Sequence, residues 1–169
     1  MTRTRRKPPS GLWLLGAALA AGCSGSGPAP EPSGAFTATA ASGDGSYSMP
    51  LDTTPSSDGS VFYFTAYSTE AGAESMGVFK VAASGGPVTK IFSGAPLQSP
   101  LGIAISSDDK TLYIADSAAG HDPNDPDARP GVGQIFKLPV AGGTPMVVSG
   151  TEGTRPRGLD LRAEGNNDV

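Results

Sequence analysis

From about residue 49 onward, short apolar runs alternate with small clusters of Gly, Ser, Asp and Pro. In the clearer stretch these runs predict four strands, at 102–105, 111–115, 133–138 and 145–148. Between them, Ser107-Asp108-Asp109-Lys110 and Ala141-Gly142-Gly143-Thr144 carry turn chemistry. An Asp side chain caps its own backbone there, and Gly accepts a positive φ. The runs VFYF (61–64) and LYIA (112–115) alternate or are apolar throughout, as strands are when a sheet is covered on both faces.

The pattern repeats. PLDTTPSSDGSVFY (50–63) aligns with PLGIAISSDDKTLY (100–113) at an offset of 50, placing Pro50, Leu51, Ser56, Ser57, Asp58 and Tyr63 on Pro100, Leu101, Ser106, Ser107, Asp108 and Tyr113. GVFKVAASGGPV (77–88) aligns with GQIFKLPVAGGTP (133–145) at an offset of about 57, so that Phe79-Lys80 meets Phe136-Lys137. An insertion around His121 to Asp127 accounts for the difference. A third copy opens at Pro156-Arg157-Gly158-Leu159-Asp160. Four-stranded units of about 40–50 residues are the blades of β-propellers, so the expected fold class is all-β. The expectation is a partial β-propeller of about two four-stranded blades, 49–94 and 100–150, plus the first strand of a third over 156–169. The first unit has Asp52-Thr53-Thr54-Pro55 where the second has Gly-Ile-Ala-Ile, so its opening strand is expected at an edge or frayed, because Pro donates no ladder bond.

The run P-x-G-I-A-I-S-x-D-x-x-x-L-Y-I-A-D, followed by I-F-K and G-G, resembles the six-bladed propellers of the NHL-repeat and gluconolactonase-like group over residues 49–169. These motifs describe the blade rather than an activity. Six blades of about 50 residues would need roughly 300, against 169 in this chain. The expectation is therefore a truncated product of a longer gene. The other way to close the open blade edges is self-association, three copies of two blades making six.

Charge and composition add a compartment. Four of the twelve basic residues, Arg3, Arg5, Arg6 and Lys7, open the chain, and all sixteen acidic residues follow Cys23. Residues 23–169 thus hold eight basic and sixteen acidic residues, a net charge of −8. That field argues against nucleic acid as a partner. After the basic stretch, the eleven apolar residues of GLWLLGAALAA (11–21) span about 16 Å, half of the roughly 30 Å a membrane core requires. A charged start, a short apolar run and small residues form a secretory signal over 1–22.

Leu19-Ala20-Ala21-Gly22-Cys23 resembles the lipobox of bacterial lipoproteins, with Ala20 at the position where that family prefers Leu. The resemblance implies cleavage before Cys23, acylation of its thiol and new amino terminus, and attachment of the chain to a membrane of the bacterial cell envelope. Cys23 is the only cysteine, so once it is lipidated no thiol remains for a disulfide, a nucleophile or a zinc site. Residues 23–46, beginning SGSGPAPEPSGA after Cys23, are expected to be a disordered tether. The repeats then occupy 47–169.

Candidate chemistry is sparse. His121, the only histidine, sits beside Asp122 in a Pro- and Asp-rich insertion, and no G-x-S-x-G elbow accompanies it. Asp122, Asn124, Asp125 and Asp127 gather hard oxygen donors of the kind that suit Ca²⁺. The EF-hand pattern fails, with Pro126 at its fifth position, Asp127 in place of Gly and Gly133 in place of the closing Glu. In gluconolactonase-like enzymes, carboxylates and amides around the channel hold a divalent metal, which the resemblance would extend to Asp116. A strand-end Asp more often caps the next turn, and its counterpart in the first unit is Ala66. No P-loop or dinucleotide fingerprint is present. The residues point to a lipid-anchored binding or scaffold module that offers the loops 67–76 and 117–132 to a protein partner. The alternative is part of a metal-dependent, lactonase-type hydrolase.

Overall fold

A computed structural model describes residues 45–70, 75–122, 124, 132–164 and 167–168. The described chain is all-β. The first sheet holds β1 (Tyr47–Pro55), β2 (Val61–Ser68), β3 (Ser75–Ala82) and β4 (Thr89–Ser93). The second holds β5 (Pro100–Ile105), β6 (Thr111–Asp116), β7 (Gln134–Pro139) and β8 (Met146–Val147). Each is a four-stranded antiparallel sheet whose strands pair in chain order. A short hairpin, β9 (Ala163–Glu164) with β10 (Asn167–Asp168), follows. No described residue is helical. The four strands expected between 102 and 148 are β5 to β8, with ends shifted by one or two residues.

The repeated Ser-Ser-Asp segments build the same hairpin in both sheets. Gly59 N–H donates to Ser56 O, and Asp109 N–H to Ser106 O, each at 2.9 Å. The Ser56 and Ser106 hydroxyls donate to Asp58 Oδ1 and Asp108 Oδ1, both at 2.7 Å. The same two hydroxyls accept from Val61 N at 3.0 Å and Thr111 N at 2.9 Å. Each Ser therefore joins the turn to the strand that leaves it, and each Asp is held in its charged form. With the serine hydroxyl as the largest cause, both carboxyl groups are lowered to a pKa of about 2.

Alternation along the strands divides each sheet into two faces. Tyr63, Met76 and Val78 of the first sheet share one buried cluster with Ile103, Leu112, Ile114, Phe136 and Leu138 of the second. The sheets therefore stack face to face, with β1 and β2 against β5. The opposite face of the first sheet carries Phe64, Ala66, Phe79 and Val81. There the Phe64 and Phe79 rings stack at 5.5 Å, and Tyr47 meets Phe64 edge-on at 4.8 Å. Two polar links span the stack. Asp52 Oδ2 accepts from Ile103 N at 2.9 Å, and the Asp109 carboxylate accepts from both the backbone N–H and the hydroxyl of Ser57.

Two expectations are refined. The opening strand β1 stands at a sheet edge and is not frayed; it is the longest strand described, with a register shift between Ser48 and Asp52. The segment expected to open a third unit is not a strand: 156–162 pairs with nothing among the described residues. A strand needs a ladder partner, and this segment instead crosses the second sheet at Gly102. A Cβ on Gly102 would lie 2.7 Å from Gly158 Cα and 3.2 Å from Arg157 O. Residues 1–44, with the expected signal, Cys23 and most of the tether, lie outside the described residues.

Candidate functional site

Strands that pair in chain order send alternate connections to opposite ends of the stack. The Ser57–Asp109 link holds the β1–β2 and β5–β6 hairpins together at one end. The opposite end receives the β2–β3 and β6–β7 connections and the link between the sheets, 94–99. The connection that follows β6 starts there, and Asp116, His121, Asp122 and Asn124 are at its beginning.

Asp116 organises this end. It is the last residue of β6, fully buried, and its carboxylate accepts four backbone N–H bonds. Oδ2 takes Gln98 N at 2.7 Å, while Oδ1 takes Ser99 N at 2.9 Å, Ala118 N at 3.0 Å and Ala119 N at 2.9 Å. Backbone donors fill both oxygens, which leaves Asp116 a cap that ties the inter-sheet link to the turn after β6 rather than an open ligand. That turn continues through His121 N–H to Ala118 O at 2.9 Å and Gly133 N–H to Ala119 O at 2.8 Å. Gln98 Nε2 donates to His121 O at 3.2 Å.

The segment after β8 closes against the same turn. Thr151 Oγ1 donates to Val148 O at 2.7 Å and accepts from Ile135 N at 3.0 Å. Gly153 N–H donates to Gly133 O at 2.7 Å. Gly133 has φ +87°, and a Cβ there would stand 2.5 Å from Arg155 Cα, so only glycine permits this close passage. Arg155 itself has φ +51°, a conformation costing a non-glycine residue about 1–2 kcal/mol. The passage leaves a shallow pocket of about 250 Å³, lined by Ser117, Ala118, His121, Val132 and Arg155.

A second hollow, of about 300 Å³, lies along β2 and β3 and is lined by Val61, Tyr63, Lys80, Val81, Ala82, Gly85, Pro87 and Thr89. Burial pushes the Tyr63 phenol above its ordinary pKa, with the negative charges of Asp109 and Asp58 adding to the rise.

Of the four expected calcium ligands, Asp122 and Asn124 lie among the described residues. Asp122 and Asn124 are exposed and engaged with each other: Asp122 Oδ1 accepts from Asn124 N at 2.9 Å and Asn124 Nδ2 at 3.1 Å. Asp125 and Asp127 lie outside the described residues. No group of three or more His, Cys, Asp or Glu able to hold a metal occurs among the described residues. Of the candidate site residues named from the sequence, His121 lines the pocket of about 250 Å³. Ser117 and Arg155 were not anticipated. The only trace of Arg155 in the sequence is its place just before Pro156, and nothing in that spacing foretells the approach to Gly133. No protein-family model and no curated protein matches this chain.

Proposed function

We propose that this chain is an exported, lipid-anchored module of the β-propeller type, with blades like those of the NHL-repeat and gluconolactonase-like group. It acts in the bacterial cell envelope by binding, and offers its 67–76 and 117–132 loops to a partner. The observation that carries the reading is the stacking of two four-stranded sheets with equivalent hairpins, joined through first strands by Asp52–Ile103 and through hairpins by Ser57–Asp109. Propeller blades bury their faces in this way, one against the next. The anchor rests on Leu19-Ala20-Ala21-Gly22-Cys23 and the basic and apolar stretch before it. One acyl chain binds membranes only marginally, whereas more than one anchors a protein stably.

Binding is preferred to catalysis because the acids best placed for chemistry have structural partners: Asp116 holds four amides, and Asp52 and Asp109 each hold the neighbouring sheet. No observation favours the hydrolase alternative.

Mass spectrometry of the full chain from a bacterial membrane fraction tests the anchor. The expected product begins at Cys23 and carries acyl chains on its thiol and amino group, and Cys23→Ser moves the protein out of the membrane fraction. An unacylated Cys23 in a protein released from the membrane contradicts the reading.

A further inference from the structure

The geometry points to the pocket between the 117–121 turn and Arg155 as a binding site for a small oxyanion, a carboxylate or phosphate group. The inference rests on the reading of the chain as a binding module and names the chemistry its loop end would take. Two side chains able to carry positive charge, His121 and Arg155, line the pocket with the Ser117 hydroxyl, and among the described residues no carboxylate joins them in the lining. Among the described residues, neither the imidazole nor the guanidinium has a hydrogen-bond or ion-pair partner. Among the described residues, the Ser117 hydroxyl has only a long contact, 3.5 Å, to Ser99 O.

Free cations are unexpected here. Residues 23–169 carry twice as many acids as bases, a field that draws carboxylates toward any exposed arginine. Yet Asp122, the acid next to His121, turns its Oδ1 to the Asn124 amides. The backbone on both sides is fixed: Asp116 pins 118 and 119, and Gly153 N–H to Gly133 O pins the approach of Arg155. Arg155 is held at φ +51° in that position. Backbone strain enforced by its surroundings gathers at ligand sites, and a guanidinium presents the fork of donors that fits an oxyanion. At about 250 Å³ the pocket suits an anionic group of a few heavy atoms.

The single histidine supplies the probe. In the full chain in detergent micelles, its ring-proton resonances are followed as inorganic phosphate, or separately acetate, replaces chloride at fixed pH and ionic strength. The expected result is a saturable shift that weakens at least tenfold in Arg155→Gly. Glycine adopts φ +51° without strain, so this variant keeps the wild-type melting temperature or raises it. Tighter binding of phosphate assigns the site to phosphoryl groups, and tighter binding of acetate assigns it to carboxylates. The absence of a shift, or a saturable shift unchanged in Arg155→Gly, overturns the site and leaves the anchor intact. An unacylated Cys23 ends the anchor reading and leaves this titration unaffected.

Discussion

Tyr63 and Tyr113 hold the same place in the two sheets. Each lies on the second strand, directly opposite a lysine of the third, Lys80 or Lys137. Tyr63 is 7% exposed because the second sheet packs on its face, whereas Tyr113, on the matching face of the second sheet, is only half-buried. The other face of the second sheet, with Leu112, Ile114, Phe136 and Leu138, is fully buried toward the first. In the same row, Met146 of the last strand, paired with Lys137, is exposed at 52%. A sheet of this kind supplies half of each apolar contact and takes the other half from a neighbour. The same sequence pattern is therefore core in one sheet and surface in the next.

The ends of the sheets differ as well. The second sheet closes β6 with Asp116, whose carboxylate accepts from four amides, where the first has the small, buried Ala66. Making the second sheet like the first, by Asp116→Ala, removes the acceptor from four backbone donors. It should lower stability by about 3–5 kcal/mol in urea unfolding, the largest effect expected here. The paired truncation of the tyrosines sharpens the comparison: Tyr63→Ala should cost about 3 kcal/mol and Tyr113→Ala less than about 1.5, since the loss scales with the cover each ring has. Equal losses would mean that the second sheet does not cover the first.

The hairpins also differ at one matched position, Gly59 at φ +69° and Asp109 at φ +57°. Glycine takes this conformation freely, while Asp109 offsets its strain by holding Ser57 of the neighbouring sheet. Asp109→Ala keeps the strain and loses the link, whereas Asp109→Gly loses both. The alanine variant should therefore melt below the glycine variant, by an amount equivalent to about 1 kcal/mol.

The smallest effect is shared by both hairpins. Asp58 and Asp108 have folded pKa values lowered to about 2 from an ordinary value of 3.8, chiefly by the Ser56 and Ser106 hydroxyls. A carboxylate with a depressed folded pKa stabilises the fold above its unfolded pKa, and that contribution is lost as pH falls through the folded one. The loss should fall between about pH 4 and pH 2. Ser106→Ala should raise the Asp108 pKa toward its ordinary value in a carboxyl NMR titration and leave Asp58 unchanged.

The strands were legible because alternation and turn residues act locally. Leu112 to Ala115 is an apolar run bounded by turn residues, and Ser106-x-Asp108 carries its hairpin in its own side chains. The role of Asp116 as a cap was legible for the same reason, since two of its four donors are Ala118 and Ala119. Contacts between distant segments were not. Asp109 stands where glycine is expected because of Ser57, 52 residues away, and Gly133 is required by the close approach of Arg155 as well as by its own φ of +87°. The Pro156–Leu159 stretch repeats the sequence that opens β5 but has no ladder partner among the described residues, and pairing is a property of two segments.

Stacking of the two sheets is the claim on which the rest depends, and the Ile103 amide reports it directly. This N–H, on the edge strand β5, is bonded by Asp52 of the first sheet. Amide hydrogen exchange should show Ile103 protected in the wild-type chain. In Asp52→Ala it should exchange at least tenfold faster, while the amides of β6 that pair with β7 keep their rates. An Ile103 amide that exchanges as fast as an unstructured peptide in the wild type would contradict the stacking.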